Sequence, residues 1–182
     1  MKDISKKILE KEFTDKEIEK ALKRIEEENN EVNPWFEIDF IVFGDPKAQQ
    51  RAKASSMGKG KGVVMYDPKE IRNWKATFRK HAIDLLDDDF VLAEGEIEIQ
   101  IDVYKSAPIS TSRIKLALME MKHLRPEKKP DIDNYDKAVL DALKGVLWKD
   151  DSQVVNIVST KYYSLRPRIE ITAGFRMKRV DK

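Results

Sequence analysis

The feature that most limits what this chain can fold into is an apolar stripe. Tyr135, Ala138, Val139, Ala142, Leu143 and Val146 recur at i, i+3, i+4, i+7, i+8 and i+11, the spacing of an amphipathic helix that must bury one face. Gly145 stands where such a helix commonly stops. Directly ahead of the stripe runs Lys129-Pro130-Asp131-Ile132-Asp133-Asn134, and Pro130 biases the residue before it away from helix. Read as extended, this segment projects Asp131 and Asp133 to the same side. Asp133 also stands where a helix N-cap is expected, with Asp136 in the first turn, so a plain capping role fits it as well.

Lys137 lies one turn past Asp133 and outside the stripe, within reach of the converging carboxylates or, equally, of Asp141. After the helix, Asp150 and Asp151 precede a β-rich run, and a short return would carry a third carboxylate back towards the first two. Three acidic groups in a small volume repel one another unless a cation neutralises them. Oxygen donors without cysteine or paired histidines suit a hard ion, Mg²⁺, that keeps several waters and is completed by substrate phosphate. Phosphoryl-transfer chemistry follows.

Length and composition bound the rest. The 182 residues suffice for one main core and an appendage, and 37% charged residues imply long solvated faces. No stretch approaches a transmembrane span. Charged residues follow Met1 in place of a signal peptide's apolar core, so a cytoplasmic protein is expected. The absence of cysteine excludes disulfides, thiolate catalysis and cysteine-based zinc sites.

A net charge of +2 leaves nucleic-acid affinity to local patches. Residues 47–62 carry Lys47, Arg51, Lys53, Lys59 and Lys61 among Gly58, Gly60 and Gly62, with no acidic residue. This reads as a flexible basic loop suited to a phosphate backbone, although a solvated hairpin connection gives the same composition. It is not a P-loop, since the Gly-Lys-Ser/Thr that must open a helix is missing. Arg113, Lys115, Lys122, Arg125, Lys128 and Lys129 form a second basic group just ahead of the aspartates, placed to draw phosphates towards carboxylates that would otherwise repel them.

Elsewhere, Thr14 and Glu17 make a capping-box pattern before Ile18, Leu22 and Ile25, predicting a solvated N-terminal helix, with residues 28–34 as a linker. Residues 1–33 are therefore an extension and residues 34–182 the main domain. Alternation predicts strands over residues 35–43 and 95–104. Asp67 as N-cap and Pro68 as first helical residue predict a helix with Ile71, Trp74, Phe78, Ala82 and Leu85 inside. Ser110-Thr111-Ser112 opens a further helix with Ile114, Ala117, Leu118 and Met121 as its stripe. Residues 154–163 and 168–175 read as an antiparallel hairpin. Together these predict an α+β domain, a mixed or largely antiparallel sheet packed with helices.

The run Asp131-Ile132-Asp133-Asn134-Tyr135-Asp136-Lys137, then Asp141-Ala142-Leu143, then Trp148-Lys149-Asp150-Asp151-Ser152-Gln153-Val154 resembles the RusA family of Holliday junction resolvases, crossover junction endodeoxyribonucleases of prophage type. Weaker similarity extends through most of residues 35–175. The resemblance implies that Asp131, Asp133 and Asp151 are the catalytic carboxylates holding Mg²⁺, with Mn²⁺ as a substitute, and that Lys137 stabilises developing charge. The link from the helix to Asp150-Asp151 is a residue shorter than the family's, which keeps Asp150 open as the alternate ligand; Asp141 would orient Lys137. It further implies a homodimer presenting two active sites to a four-way DNA junction. Lys47, Arg51, Lys53, Lys59, Lys61, Arg125, Lys128 and Lys129 are then the DNA-binding residues. A nuclease for other branched or single-stranded DNA, or a junction-binding module without catalysis, are the alternatives.

Overall fold

A computed structural model describes residues 11–30, 35–56, 63–88 and 90–176. In chain order its elements are α1 (Asp15–Asn30), β1 (Trp35–Phe43), β2 (Lys53–Ser56), β3 (Val63–Tyr66), α2 (Lys69–Asp84), β4 (Ile97–Ser106), α3 (Arg113–Glu120), α4 (Ile132–Leu143), a 3-10 turn (Asp151–Gln153), β5 (Val154–Ser164) and β6 (Arg168–Arg176). The chain divides into two compact units, one spanning Trp35–Met177 and the other containing α1.

In α1, the capping box forms as its sequence predicts. The Glu17 N–H donates to Thr14 Oγ1 at 3.3 Å, and the Thr14 N–H donates to Glu17 Oε2 at 2.8 Å. Phe13, Leu22 and Ile25 are exposed. The helix continues to Asn30, so residues 28–30 are its last turn and not the start of a linker; residues 31–34 lie outside the described residues.

The larger unit is built on a four-stranded sheet of order β1-β6-β4-β5, with β1/β6 and β6/β4 antiparallel and β4/β5 parallel. Its inner face is apolar because alternation along β4 turns Ile97, Ile99, Ile101 and Val103 the same way, all at most 3% exposed. Ile169, Ile171, Ala173 and Phe175 of β6 continue that layer. Over it lie Phe78 and Ala82 of α2 and Tyr135, Val139, Ala142 and Leu143 of α4, with Leu147 and Trp148 closing one end. Each large apolar side chain so buried contributes about 1.5–3 kcal/mol. On the outer face Trp35 lies across Gly174, where an added Cβ would come within 2.4 Å of the indole ring.

Several local expectations are corrected. β5 and β6 are not a hairpin, because β4 lies between them. With its inner face apolar from Ile97 to Val103, β4 takes a central place, whereas Val155, Ile157 and Val158 of β5 are exposed, as an edge strand allows. Three connecting residues, at roughly 3.3 Å each, just span the two inter-strand spacings. Ser164 Oγ, which donates to Glu120 Oε1 at 3.1 Å, and the Leu165 N–H, donating to the same carboxylate, fix that crossing. Within residues 47–62, β2 pairs antiparallel with β3, so part of the basic loop is a two-stranded ribbon. Pro68, not Asp67, is the N-cap of α2, because the Asp67 carboxylate is taken by Lys75 and Gln49. Leu85 is exposed, and α3 buries no residue, with Ile114 and Met121 in solvent.

Parallel pairing of β4 with β5 requires a long crossover, and α3 and α4 lie within it. α4 therefore runs against the strands. Its N-terminus sits at the C-terminal end of β4, where Lys105 Nζ donates to the Lys129 carbonyl at 3.4 Å. The chain beyond its C-terminus returns to the start of β4, where Gln153 Nε2 donates to the carbonyls of Ala93 and Gly95 at 3.0 and 3.1 Å.

Candidate active site

Asp131, not Asp133, is the N-cap of α4, extended at φ −73°, ψ 155°, and its carboxylate makes no capping hydrogen bond. Helix begins straight after it, so Asp133 lies in the first turn and the two aspartates are not alternate residues of an extended run. Both are exposed. Among the described residues Asp133 accepts only from the neighbouring Asn134 Nδ2, at 3.2 Å. Both lie at the helix end whose dipole favours negative charge.

The backbone ahead of them is clasped from the sheet. Lys161 Nζ donates to the Pro130 carbonyl at 3.0 Å, beside Lys105 on the Lys129 carbonyl. Register pairs Val103 with Lys161, so both lysines project from the inner face towards α4. Burial, then the neighbouring Lys161 charge, holds the Lys105 ammonium below its usual range, with Asp45 partly opposing. Half-buried Asp136 accepts from Ser159 Oγ at 2.6 Å. Burial raises its carboxyl above the usual range and the Asp133 charge adds to this, while the Ser159 bond opposes.

A groove of about 600 Å³ runs beside Asp131, lined among others by Lys47, Arg51, Lys105, Lys129 and Asn134. The Gln49 N–H donates to the Asn134 carbonyl at 2.7 Å, which seats the strap carrying Lys47 and Arg51 against the first turn of α4. Lys47 also pairs with Glu70 at 2.9 Å. Lys53 stands on β2, away from the groove lining, and Arg125 lies with its guanidinium 5.2 Å from the Tyr162 ring. Lys128 is exposed. Lys59 and Lys61 lie outside the described residues.

Asp150 and Asp151 are at the other end of α4. Asp150 caps the 3-10 turn, accepting from the Ser152 N–H at 3.0 Å and from Lys144 Nζ at 2.6 Å. Lys144 above all, with the Ser152 bonds, holds its carboxyl well below the usual carboxylate range. Half-buried Asp151 accepts from Trp148 Nε1 at 3.1 Å. Arg79 donates to the carbonyls of Lys144 and Gly145 at 2.6 and 3.1 Å, satisfying the end of α4.

The 12 residues of α4 separate these two ends by roughly 18 Å. The short return expected from the sequence therefore does not bring Asp151 to Asp131 and Asp133 within one chain. Among the described residues no group of three acidic or histidine side chains is placed to hold a metal ion. Lys137 is exposed on the first half of α4 and makes no hydrogen bond or ion pair among the described residues. Asp141 does not orient it: its carboxylate is bound by Lys75 Nζ at 2.6 Å. Sequence reasoning missed the contacts of Lys75, Lys105 and Lys161, and read Asp136 only as a first-turn acid. A lysine interrupting an inward-facing strand row, as Lys105 does two residues after Val103, is the signal that would have found one of them.

Residues 44–173 match the family model described as Endodeoxyribonuclease RusA, a span covering both ends of α4 and the groove. The chain belongs to the RusA endodeoxyribonuclease family. It is also 38% identical over 136 residues to the uncharacterized protein YqaN of Bacillus subtilis (strain 168), a match covering 74% of this chain and 93% of that protein. RusA membership makes this chain an endodeoxyribonuclease that hydrolyses DNA phosphodiester bonds, in a family that acts on branched DNA junctions and is in general metal-dependent. No helix among the described residues is long and apolar enough to cross a membrane.

Proposed function

We propose that this RusA-family chain resolves four-way DNA junctions in recombination and repair as a Mg²⁺-dependent homodimer, each active site combining Asp131 and Asp133 of one copy with Asp151 of the other. The observation that carries this reading is the separation of the three carboxylates by the length of α4. A two-fold pairing sets one end of a helix against the opposite end of its partner, and does so twice.

Asp131, Asp133 and Asp151 would hold the ion, with Asp150 as the alternate. The donor set suits it: every donor is a carboxylate oxygen, and Asp131 gives up no capping bond to bind. Asp131 and Asp133 stand in water, as an ion that keeps part of its hydration shell requires. Bound there, Mg²⁺ or a substituting Mn²⁺ would activate a water and offset charge building on the scissile phosphate. Lys137, uncommitted and one turn from Asp133, stabilises that charge from the protein side. Trp148 holds Asp151 in one orientation through its bond to Oδ1. Lys47, Arg51 and Lys129 along the groove, with Lys53, Lys59, Lys61, Arg125 and Lys128, grip the phosphate backbone by charge and so without regard to sequence. Residues 34–182 act as the nuclease domain and residues 1–33 as a helical extension of a cytoplasmic protein.

Subunit mixing tests this. Asp131→Asn and Asp151→Asn proteins, each inactive on a synthetic four-way junction in Mg²⁺, regain nicking when mixed, since a heterodimer holds one intact site. If the mixture stays as inactive as its parents while sedimentation shows exchanged dimers, the shared site is wrong. Faster cutting of forks or single strands than of four-way junctions by the wild-type protein would move the substrate to other DNA.

A further inference from the structure

Lys75, on α2, has a side chain only 14% exposed and holds two carboxylates, Asp141 of α4 at 2.6 Å and Asp67 at 2.9 Å. Both also flank Lys137. Asp141 follows Lys137 by four residues, the spacing at which helix side chains meet. Asp67 is close enough for the Lys137 charge to help lower its carboxyl pKa, behind the larger effects of Lys75 and Gln49. The other oxygen of Asp67 accepts from Gln49 Nε2 at 2.8 Å, and the Gln49 N–H holds the Asn134 carbonyl. One half-buried ammonium thus governs two things: where two carboxylates beside Lys137 go, and whether the strap bearing Lys47 and Arg51 is fastened to α4.

We propose that Lys75 is a positioning residue for cleavage, which keeps the Asp67 and Asp141 carboxylates off Lys137 so that Lys137 remains free for the scissile phosphate. The inference rests on the role given to Lys137 above. The charges argue for it: Lys75 and Lys137 balance Asp67 and Asp141, and the two carboxylates have settled on the more enclosed cation. Without the Lys75 charge, two partly buried carboxylates lose their partner, and breaking a buried pair leaves a charge that seeks compensation. Lys137 stands one turn before Asp141, and the other lysine within a turn, Lys144, is already bonded to Asp150 at 2.6 Å. An exposed i, i+4 pair is weak by itself, but here the loss of Lys75 drives it.

The experiment compares wild type, Lys75→Met, Asp141→Asn and the double variant. Single-turnover cleavage of a synthetic four-way junction is measured in Mg²⁺, binding in Ca²⁺, and thermal melting in parallel. Lys75→Met should cut about tenfold more slowly, ~1.4 kcal/mol on the barrier, at nearly unchanged affinity. The double variant should recover most of that rate, because Asp141 no longer competes for Lys137 and Asp67 keeps its bond from Gln49, although it melts below wild type, since neither salt bridge of Lys75 is restored. A merely structural Lys75 predicts the opposite, with rate following melting temperature and the double variant no faster than Lys75→Met; that result overturns the proposal. The titration of Lys137, followed by NMR on ¹³C-methylated lysines, gives a readout independent of activity. Its pKa should rise in Lys75→Met and return in the double variant, and no rise in Lys75→Met would overturn the positioning role even if wild type cuts junctions. A wild type that cuts no DNA while Lys137 titrates as expected would instead sink the role of Lys137 in cleavage.

Discussion

The two ends of α4 carry aspartate pairs treated in opposite ways. At the N-terminal end, Asp131 declines the capping bond its position offers and, among the described residues, Asp133 accepts only from its neighbour Asn134. At the C-terminal end Asp150 is fixed by Lys144 and Ser152, and Asp151 by Trp148. A folded chain normally uses a carboxylate at a helix start to cap it, because that satisfies an orphan N–H. Leaving Asp131 uncapped while the surrounding backbone is clasped by Lys105 and Lys161 gives a helix end whose backbone is held and whose carboxylates are open. The tied end teaches the complementary point, that a carboxylate can be held in one orientation through one oxygen and still offer the other.

The sharpest way to break this comparison is to remove charge at the open end. Asp133→Asn should reduce junction cleavage below detection with a melting temperature unchanged or higher, since an exposed charge is lost and half-buried Asp136 is relieved of a like neighbour. A marked fall in melting temperature would show that the open end is structural after all. Next in size is Trp148→Phe, which keeps an aromatic ring but deletes the donor to Asp151. Loss of an orienting partner behind a metal ligand typically costs ten- to a hundred-fold, so single-turnover cleavage should fall by about that factor with Ca²⁺-supported binding retained. Wild-type rate in this variant would mean that the tied end only closes the helix.

A smaller effect concerns the basic residues of the segment 47–62. Replacing Arg51, Lys53, Lys59 and Lys61 together by Gln should flatten the slope of log K against log salt by up to about 3.6, at 0.9 per neutralised duplex phosphate, while cleavage at saturating DNA changes little. An unchanged slope would assign the DNA grip to the groove lysines Lys105 and Lys129 and to Arg125 and Lys128.

What could be read from the sequence divides along the same line. The stripe of α4 and the rows of β1 and β4 were legible because burial imposes a period on neighbouring residues, and the acidic runs were legible because like charges packed together need a reason. Long-range placement was not. That β4 separates β5 from β6, and so that a parallel crossover stretches α4 between Asp131 and Asp151, depends on which strand is most apolar on both sides of the ladder, a comparison no local pattern makes. The apolar stripes assigned to α3 and to Leu85 failed for the same reason, since periodicity shows that a face could be buried but not that anything covers it. Lys75 and Lys161 were invisible because each acts on a group far from it in sequence.

The smallest predicted effect probes the Lys75 centre, which joins α4 at Asp141 in its last turn and belongs to the tied kind. The Asp67 carboxyl is held below its usual range, by the Lys75 ammonium first, with burial opposing and Gln49 helping. Because its pKa is lowered on folding, its stabilising contribution is complete above the unfolded value of about 3.9. That contribution is lost as pH falls through the lower folded value. Asp67→Asn should therefore melt below wild type by a few degrees near neutrality, corresponding to about 1–2 kcal/mol for a hydrogen bond to a charged partner. Melting curves recorded from pH 6 down to about pH 2.5 should show the gap closing only below about pH 4, where the wild-type carboxylate takes up its proton and loses the attraction of Lys75. A gap that stayed constant across that range would mean that Asp67 contributes by shape and neutral hydrogen bonding, and the Lys75 centre would no longer resemble the charge-fixed pair of Asp150 and Lys144.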